Sequence, residues 1–515
     1  MVPRVAGASG PIRRRAWFAS LIRWCLLAAL LPVGAPPAAE TAIGPTPLVR
    51  NGYRRMSSSA EISADLAALA AASPLARVER LGLSVQGRPL EALVLQAPAA
   101  VDPLRVLVVG SQHGASEPAG AEAFLALARE LIWGDLRPLL DSQRVILIPN
   151  ANPDGRELGR RSNANGVNIN TDFVRARAPE TRALLHALAR YEPEAVLDSH
   201  ESAVLKRKSL GREGWLTDFE IQYEIANHPG VPAPTRALSA GALLPALLAA
   251  ATAAGHAANR YIGEITSTAQ PITNGGFSLR NFRNTAGVQN RISFLVETRL
   301  DSGERDYPTW RNIAVREARQ LHCLRSFLAT IEQRRAAIRA ATAAPVAGPL
   351  PLHASYQADP GHPWAEIGLR RRDSGELVLH RFADHRRVVL GEVVEPPAAY
   401  LITAGQELLR PLLRAQAIAH TALDRPRTFA ALSPRLAPTA PGTALRLAEW
   451  RPATLEAPAG ALLIELDQRR GRQAVLLLDP RSSSSLFQYP EFAALFGAGR
   501  PPPLHALPRP PAAMP

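Results

Sequence analysis

Between residues 89 and 299 the chain alternates short apolar runs with longer stretches of helical spacing. That alternation constrains the fold more than any other feature. "LEALVLQA", "LRVLVVG", "RVILIPN", "EAVLDSH" and "ISFLVETR" read as buried strands. Between and around them lie "AGAEAFLALARELI", "PETRALLHALARY", "ALLPALLAAATAAGH" and the long "IAVREARQLHCLRSFLATIEQRRAAIRAA", all helical in period. Residues 60–72 add a further helix, and Pro118 stands near a helix's first turn, a favoured place for proline. Strands alternating with helices give an α/β sheet covered on both faces. An apolar content of 47% is ample for its core.

After "ATAAPVAGPLPL" the texture changes. "ELVLHRF", "RVVLGEVV", "ALLIELD" and "QAVLLLD" are short strand-like runs among prolines. The expected organisation is an α/β domain over 45–342 and a β-rich C-terminal domain over 346–498. A proline-rich, disordered tail is expected over 499–515.

At the N-terminus, "IRRRAWF" is a basic segment and "LIRWCLLAALLPVGA" an apolar stretch, followed by small residues around Ala35 and Ala39. This pattern predicts a signal peptide over 1–39 and export to a periplasm or beyond. The apolar stretch is short of the roughly 20 residues needed to span a bilayer, so no membrane span is expected in the mature chain. Cys25 would leave with the signal, and Cys323 would then stand alone without a disulfide. The net charge is +14, yet only Lys206 and Lys208 are lysines and the arginines are spread along the chain. Without a basic stripe or a nucleic-acid motif, nucleic acid is not an expected partner. The two lysines lie six and eight residues after His200, and either a solvated loop or an ammonium reaching a cleft would explain them.

In open α/β sheets, sites gather at the carboxyl ends of strands. His113 and Glu117 follow "RVLVVG", His200 follows "EAVLDS" with Asp198 on the same strand face, and Glu297 closes "SFLV". Two histidines and a carboxylate make a three-ligand zinc set with a position left for water. Glu297 is then the candidate base for that water. Singly, each residue has a plainer explanation: a turn contact for His113, a helix N-terminal charge for Glu117, a surface pair for His200 and Glu201, an arginine partner for Glu297. Together, at successive strand ends, they favour chemistry.

With these residues in view, the chain resembles the zinc carboxypeptidase-like proteins of the M14 metallopeptidase family over roughly residues 60–335. The resemblance rests on "LSVQGRPLEALVL", "SQHGASEPAGAEA", "NPDGRELGRRSNANGVNINTDF", "LDSHE" and "SFLVETR", in that order. It implies a mixed α/β sheet flanked by helices and one zinc ion. It implies His113, Glu117 and His200 as metal ligands, Glu297 as general base and acid, and a peptide or peptide-like substrate. Arg161, with Arg160 as its rival, would stabilise the oxyanion, where a fixed cation meets developing negative charge.

Two departures from the family pattern follow. Three residues separate His113 from Glu117 where the pattern has two. A small-residue bulge would absorb the extra one; the competing reading is a metal-free binding relative. Asn170 is followed by Thr171 where the family usually has arginine, so the cation that would hold a terminal carboxylate is missing. Arg175, Arg177, Arg280 and Arg283 are the candidate substitutes; without one, an endopeptidase or amidase fits better than a strict carboxypeptidase. Asn163, Asn165 and Asn168 are expected to shape backbone, and Asn170 to face substrate. The family's tyrosine near the substrate has no assigned counterpart, with Thr285 near its expected position and Tyr261 earlier.

Overall fold

The computed structural model describes residues 43–204, 210–300, 312–436, 447–497 and 501–509. The expected signal peptide and Lys206 and Lys208 lie outside the described residues.

Among the described residues nine strands precede residue 300: β1 (Ala76–Leu83), β2 (Pro89–Leu95), β3 (Leu104–Gly110), β4 (Gln143–Ile148), β5 (Ala195–Ser202), β6 (Trp215–Thr217), β7 (Ile221–Ile225), β8 (Ala258–Arg260) and β9 (Ile292–Arg299). All but β6 form one sheet in the order β1-β2-β4-β3-β5-β9-β7-β8. The sheet is mixed: β4, β3, β5 and β9 run parallel, while β1, β2 and the β9–β7 pair are antiparallel. Strands β3, β5 and β9 are therefore adjacent and parallel, with their carboxyl ends side by side.

Period-2 alternation divides these strands between two cores. Val106 and Val108 of β3 pack with α1 (Ser59–Ala72), α2 (Ala119–Ile132), the helix Ala233–Ala253 and α3 (Ile313–Gln333). Leu107 and Val109 face the other way, against Leu184, Leu185 and Leu188 of the helix Pro179–Tyr191 and against Phe173 and Phe282. Helix α1 starts with a capping box, Ser58 and Glu61 bonding reciprocally to each other's backbone. The helix Ala233–Ala253 is long and apolar enough by composition to cross a bilayer, yet it packs beside β7 and α3. The long helical stretch expected over 313–341 is two helices, broken at Arg334.

The region beyond residue 346 is β-rich, but not in every predicted part. A hairpin of Trp364–Arg371 and Leu377–Ala383 adds to β6 to make a three-stranded sheet. A six-stranded antiparallel sheet lies further along, with Ala399–Ile402 and Leu462–Glu465 in its interior. "QAVLLLD" is not a strand: Gly471–Leu478 is a helix, buried along nearly its whole length. A short apolar run carries no period that separates a buried strand from a buried helix.

The proline-rich end also departs from expectation. Leu504–Leu507 is an inner strand of the six-stranded sheet, between Ala399–Ile402 and Arg427–Leu436. Leu504 and Ala506 join the core there, so four alternating residues outweigh the prolines around them.

Candidate active site

His113 follows β3 by three residues. The chain reaches it through Ser111, whose φ is +57°, and then makes one 3-10 turn over Gly114–Ser116. That turn takes up the extra residue between His113 and Glu117. Gly114 has φ +51°, and a Cβ there would stand 2.6 Å from the Arg160 carbonyl oxygen and from the Gly155 carbonyl carbon. Both the angle and the close approach require glycine. The Ala115 amide donates to the Arg160 carbonyl at 3.2 Å. Asn152 Nδ2 donates to the carbonyls of Gln112 and Arg161, each at 3.2 Å. The His113–Glu117 loop is thus pinned to the loop carrying Arg161.

These contacts bring His113, Glu117 and His200 together, their ligand atoms within 4.8 Å of one another and all three residues buried. His200 Nδ1 lies 2.8 Å from Glu117 Oε2. Its other nitrogen, Nε2, lies 3.0 Å from Asp198 Oδ1. Asp198 is placed to hold a proton on Nε2, so that Nδ1 would serve an ion; without one, burial opposes protonation but Asp198 and then Glu117 outweigh it and raise the imidazole well above its usual range. His113 Nδ1 is buried without a hydrogen-bond partner. Imidazole nitrogens and a carboxylate oxygen converging on one point form a zinc donor set, and the orphaned nitrogen is a ligand atom such an ion satisfies. Burial pushes the His113 imidazole down to about 3, which keeps it in the neutral, ligating form. For Glu117, burial opposes ionisation, but His113, His200 and Arg161 outweigh it and hold the carboxyl well below its usual range.

Glu297 comes from β9, where its register partner across the β5–β9 pair is His200. Partnered residues on neighbouring strands share a face, so Glu297 enters the same cleft. The cleft has a volume of about 800 Å³ and is lined by Glu117, Arg161, Glu201, Thr217, Gln222, Tyr261 and Glu297, among others. Arg161 ion-pairs through Nη1 with Glu117 and places Nη2 2.8 Å from His113 Nε2. Arg160 is exposed and contributes its backbone carbonyl instead.

The asparagine run divides as the sequence suggested for Asn163, which is fully buried. Its Oδ1 accepts from the amides of Asn165 and Val167, and its Nδ2 donates to Glu180. Asn170 lies beside the site: its Nδ2 is 3.4 Å from His200 Nε2, and its Oδ1 accepts from the Phe282 amide. Thr171 is exposed, bonds the Asn168 carbonyl and is not among the cleft-lining residues. Of the four candidate substitute arginines, Arg175 pairs with Glu491 and Arg177 with Asp172, and Arg283 donates to Asn227 and Gly276. Arg280 lies against the Thr171 carbonyl, with Nε 3.4 Å from it.

Two site features were not assigned from sequence. Tyr261 lines the cleft, and burial and the Glu297 charge raise its phenol above the usual range. Its only signal is its place directly after β8. Thr285, the other position weighed, is buried and bonds the Leu279 carbonyl at 2.7 Å. Glu201 is no surface partner of His200: it is buried, accepts two bonds from Arg316 and one from the Ala119 amide.

Residues 62–205 match the sequence profile of the zinc carboxypeptidases, Peptidase M14. Over that span the chain is similar to the zinc carboxypeptidases. The matched span contains His113, Glu117, Arg161 and His200 and stops short of Glu297. A probable carboxypeptidase 2 from Trichophyton verrucosum is 28% identical over 202 residues, covering 38% of each chain. Carboxypeptidase E from Caenorhabditis elegans is 31% identical over 170 residues, covering 29% of this chain and 36% of its own. The chain thus spans less than two-fifths of the length of these relatives. A solved metallo-carboxypeptidase from Burkholderia cenocepacia aligns at 22% identity and a TM-score of 0.41, covering 55% of this chain and 71% of that one.

Proposed function

We propose that this protein is an exported, zinc-dependent hydrolase of peptide or peptide-like amide bonds. The observation that carries the reading is the meeting of His113, Glu117 and His200 at the floor of three adjacent parallel strands, beside a cleft that Glu117, Arg161 and Glu297 line. His113, Glu117 and His200 would hold the ion, and a zinc ion supplies Lewis acidity toward water and carbonyl oxygen. Glu297 takes the proton of the attacking water and delivers it to the leaving amine. Arg161, half exposed to the cleft, offers its guanidinium to the developing oxyanion. Asp198 keeps the His200 ring in one tautomer.

Thr171 argues against a strict demand for a free terminal carboxylate, because no guanidinium stands at that position. Action as an endopeptidase or amidase on peptides with blocked ends is consistent with this. Arg280 is the cation nearest to Thr171 among the four considered. A second reading, a metal-free peptide-binding protein, is favoured by one contact: the Arg161 cation bridges Glu117 and His113.

The test is metal content with turnover. Purified protein should carry one zinc ion per chain. Glu297→Gln should keep that zinc and lose turnover on peptides by about a thousandfold. Protein without zinc that still binds peptides in the presence of a chelator would establish the second reading. A panel of peptides with free and amidated C-termini, run on wild type and Thr171→Arg, separates the modes of action. Thr171→Arg should shift preference toward the free carboxylate.

A further inference from the structure

We infer that the hairpin Trp364–Ala383 of the C-terminal region builds one wall of the catalytic cleft and so acts as a positioning element for substrate. The inference concerns the same cleft and rests on the reading of it as an active site.

Four of the residues that line the cleft with Glu117, Arg161 and Glu297 are Leu210, Thr217, Ile262 and Ile265. They come from two segments, 210–217 and 261–272, and neither is held by the large sheet alone. Strand β6, which ends in Thr217, takes its backbone partners from the hairpin: Thr217 pairs with Leu369, Leu216 with Arg370, and Trp215 with Arg371. The second segment bridges to the hairpin's end, where the Ile272 amide donates to Ala383 and Ile272 accepts from His385, each at 3.0 Å.

Side chains repeat the pattern. Leu210, Ile262 and Ile265 line the cleft and at the same time form one apolar cluster with Ile367, Leu369 and Phe382 of the hairpin. This cluster is separate from the two that cover the sheet. Around it, Asp218 pairs with Arg370, and Trp215 stacks edge-on against His380 at 4.2 Å. The Arg372 amide donates to Gly214 at 2.9 Å. A short three-residue strand and a loop cannot hold a fixed position by themselves. The hairpin supplies the missing strand and the missing core behind them. The proposed metal ligands, by contrast, stand on β5 and on the loop that follows β3, outside the hairpin's cluster.

The separation makes a prediction specific to this wall. In the full-length protein, Phe382→Ala removes the largest of the three buried side chains that the hairpin gives to the cluster with Ile262 and Ile265. Hydrogen exchange in segments 210–217 and 261–272 should accelerate about tenfold or more, while β5 keeps its protection. KM for an N-acyl dipeptide should rise about fivefold, with kcat within about twofold of wild type and zinc affinity unchanged. Ile464→Ala, an equally buried change in the distant six-stranded sheet, is the control and should leave wall exchange and KM alone. Equal wall exchange in Phe382→Ala and Ile464→Ala overturns the inference, as does an unchanged KM. If Phe382→Ala does not fold, Ile367→Val is read in the same way. The exchange measurement needs no substrate, so absent turnover in the wild type would refute the proposed hydrolase while leaving the wall to be judged by exchange.

Discussion

Gly114 shows how a single residue carries the departure from the family spacing. The extra position between His113 and Glu117 is accommodated because residue 114 takes a left-handed conformation against the backbone of 155–160. Gly114→Ala should destabilise the fold by about 2–3 kcal/mol and weaken zinc binding with it, since the loop must lift from its support. Urea denaturation with and without zinc checks both effects; a change in stability with zinc affinity intact would separate the turn from the site. His113, Glu117, His200 and Glu297 drew attention in the sequence because each stands in or shortly after an apolar run, and the structure brings the first three together. Tyr261 drew none, because nothing in its neighbourhood distinguishes a cleft tyrosine from a buried one. The place of Glu201 was not announced either, because its partner, Arg316, lies 115 residues away and no local pattern marks that pair.

At the scale of elements, helix period and strand alternation identified most of the α/β layer. They failed where a run was short and uniformly apolar, as at Gly471–Leu478, whose burial on every side erases its period. The packing of α3 on α2 has a consequence for pH. Glu317 of α3 is half-buried facing Glu122 and Glu130 of α2, and burial first, then those carboxylates, push it from 4.5 to about 7. Between about pH 4.5 and 7 the folded protein keeps a proton that the unfolded chain has released. The stabilisation is complete below that window and is lost as pH rises through it. Glu317→Gln should flatten this part of the stability curve and exceed wild type by about 1–2 kcal/mol at pH 8. Denaturant titrations at pH 5, 6, 7 and 8 measure it; parallel curves for the two proteins would contradict the helix-pair account.

Across the whole molecule, the sequence's change of texture near residue 346 marks a change in architecture but not a separation. The hairpin of the C-terminal region pairs with β6, and Gln416 donates to the Phe173 carbonyl at 2.6 Å, beneath the asparagine loop. Composition could not disclose this, because long-range pairing leaves no trace in local spacing. The strand Leu504–Leu507 has a further consequence, for synthesis. It lies between strands made roughly 70 to 100 residues before it, so the six-stranded sheet cannot close until it emerges. Until then Ala399–Ile402 and Arg427–Leu436 present open edges toward each other, a state exposed to pairing with other chains. Ending translation after residue 498 should therefore give protein that aggregates in sedimentation assays while the full chain stays soluble. Of the six strands in its sheet, Leu504–Leu507 is made last, so during translation it would work as a latch, and the time before it closes is the interval in which the sheet is most open to wrong partners.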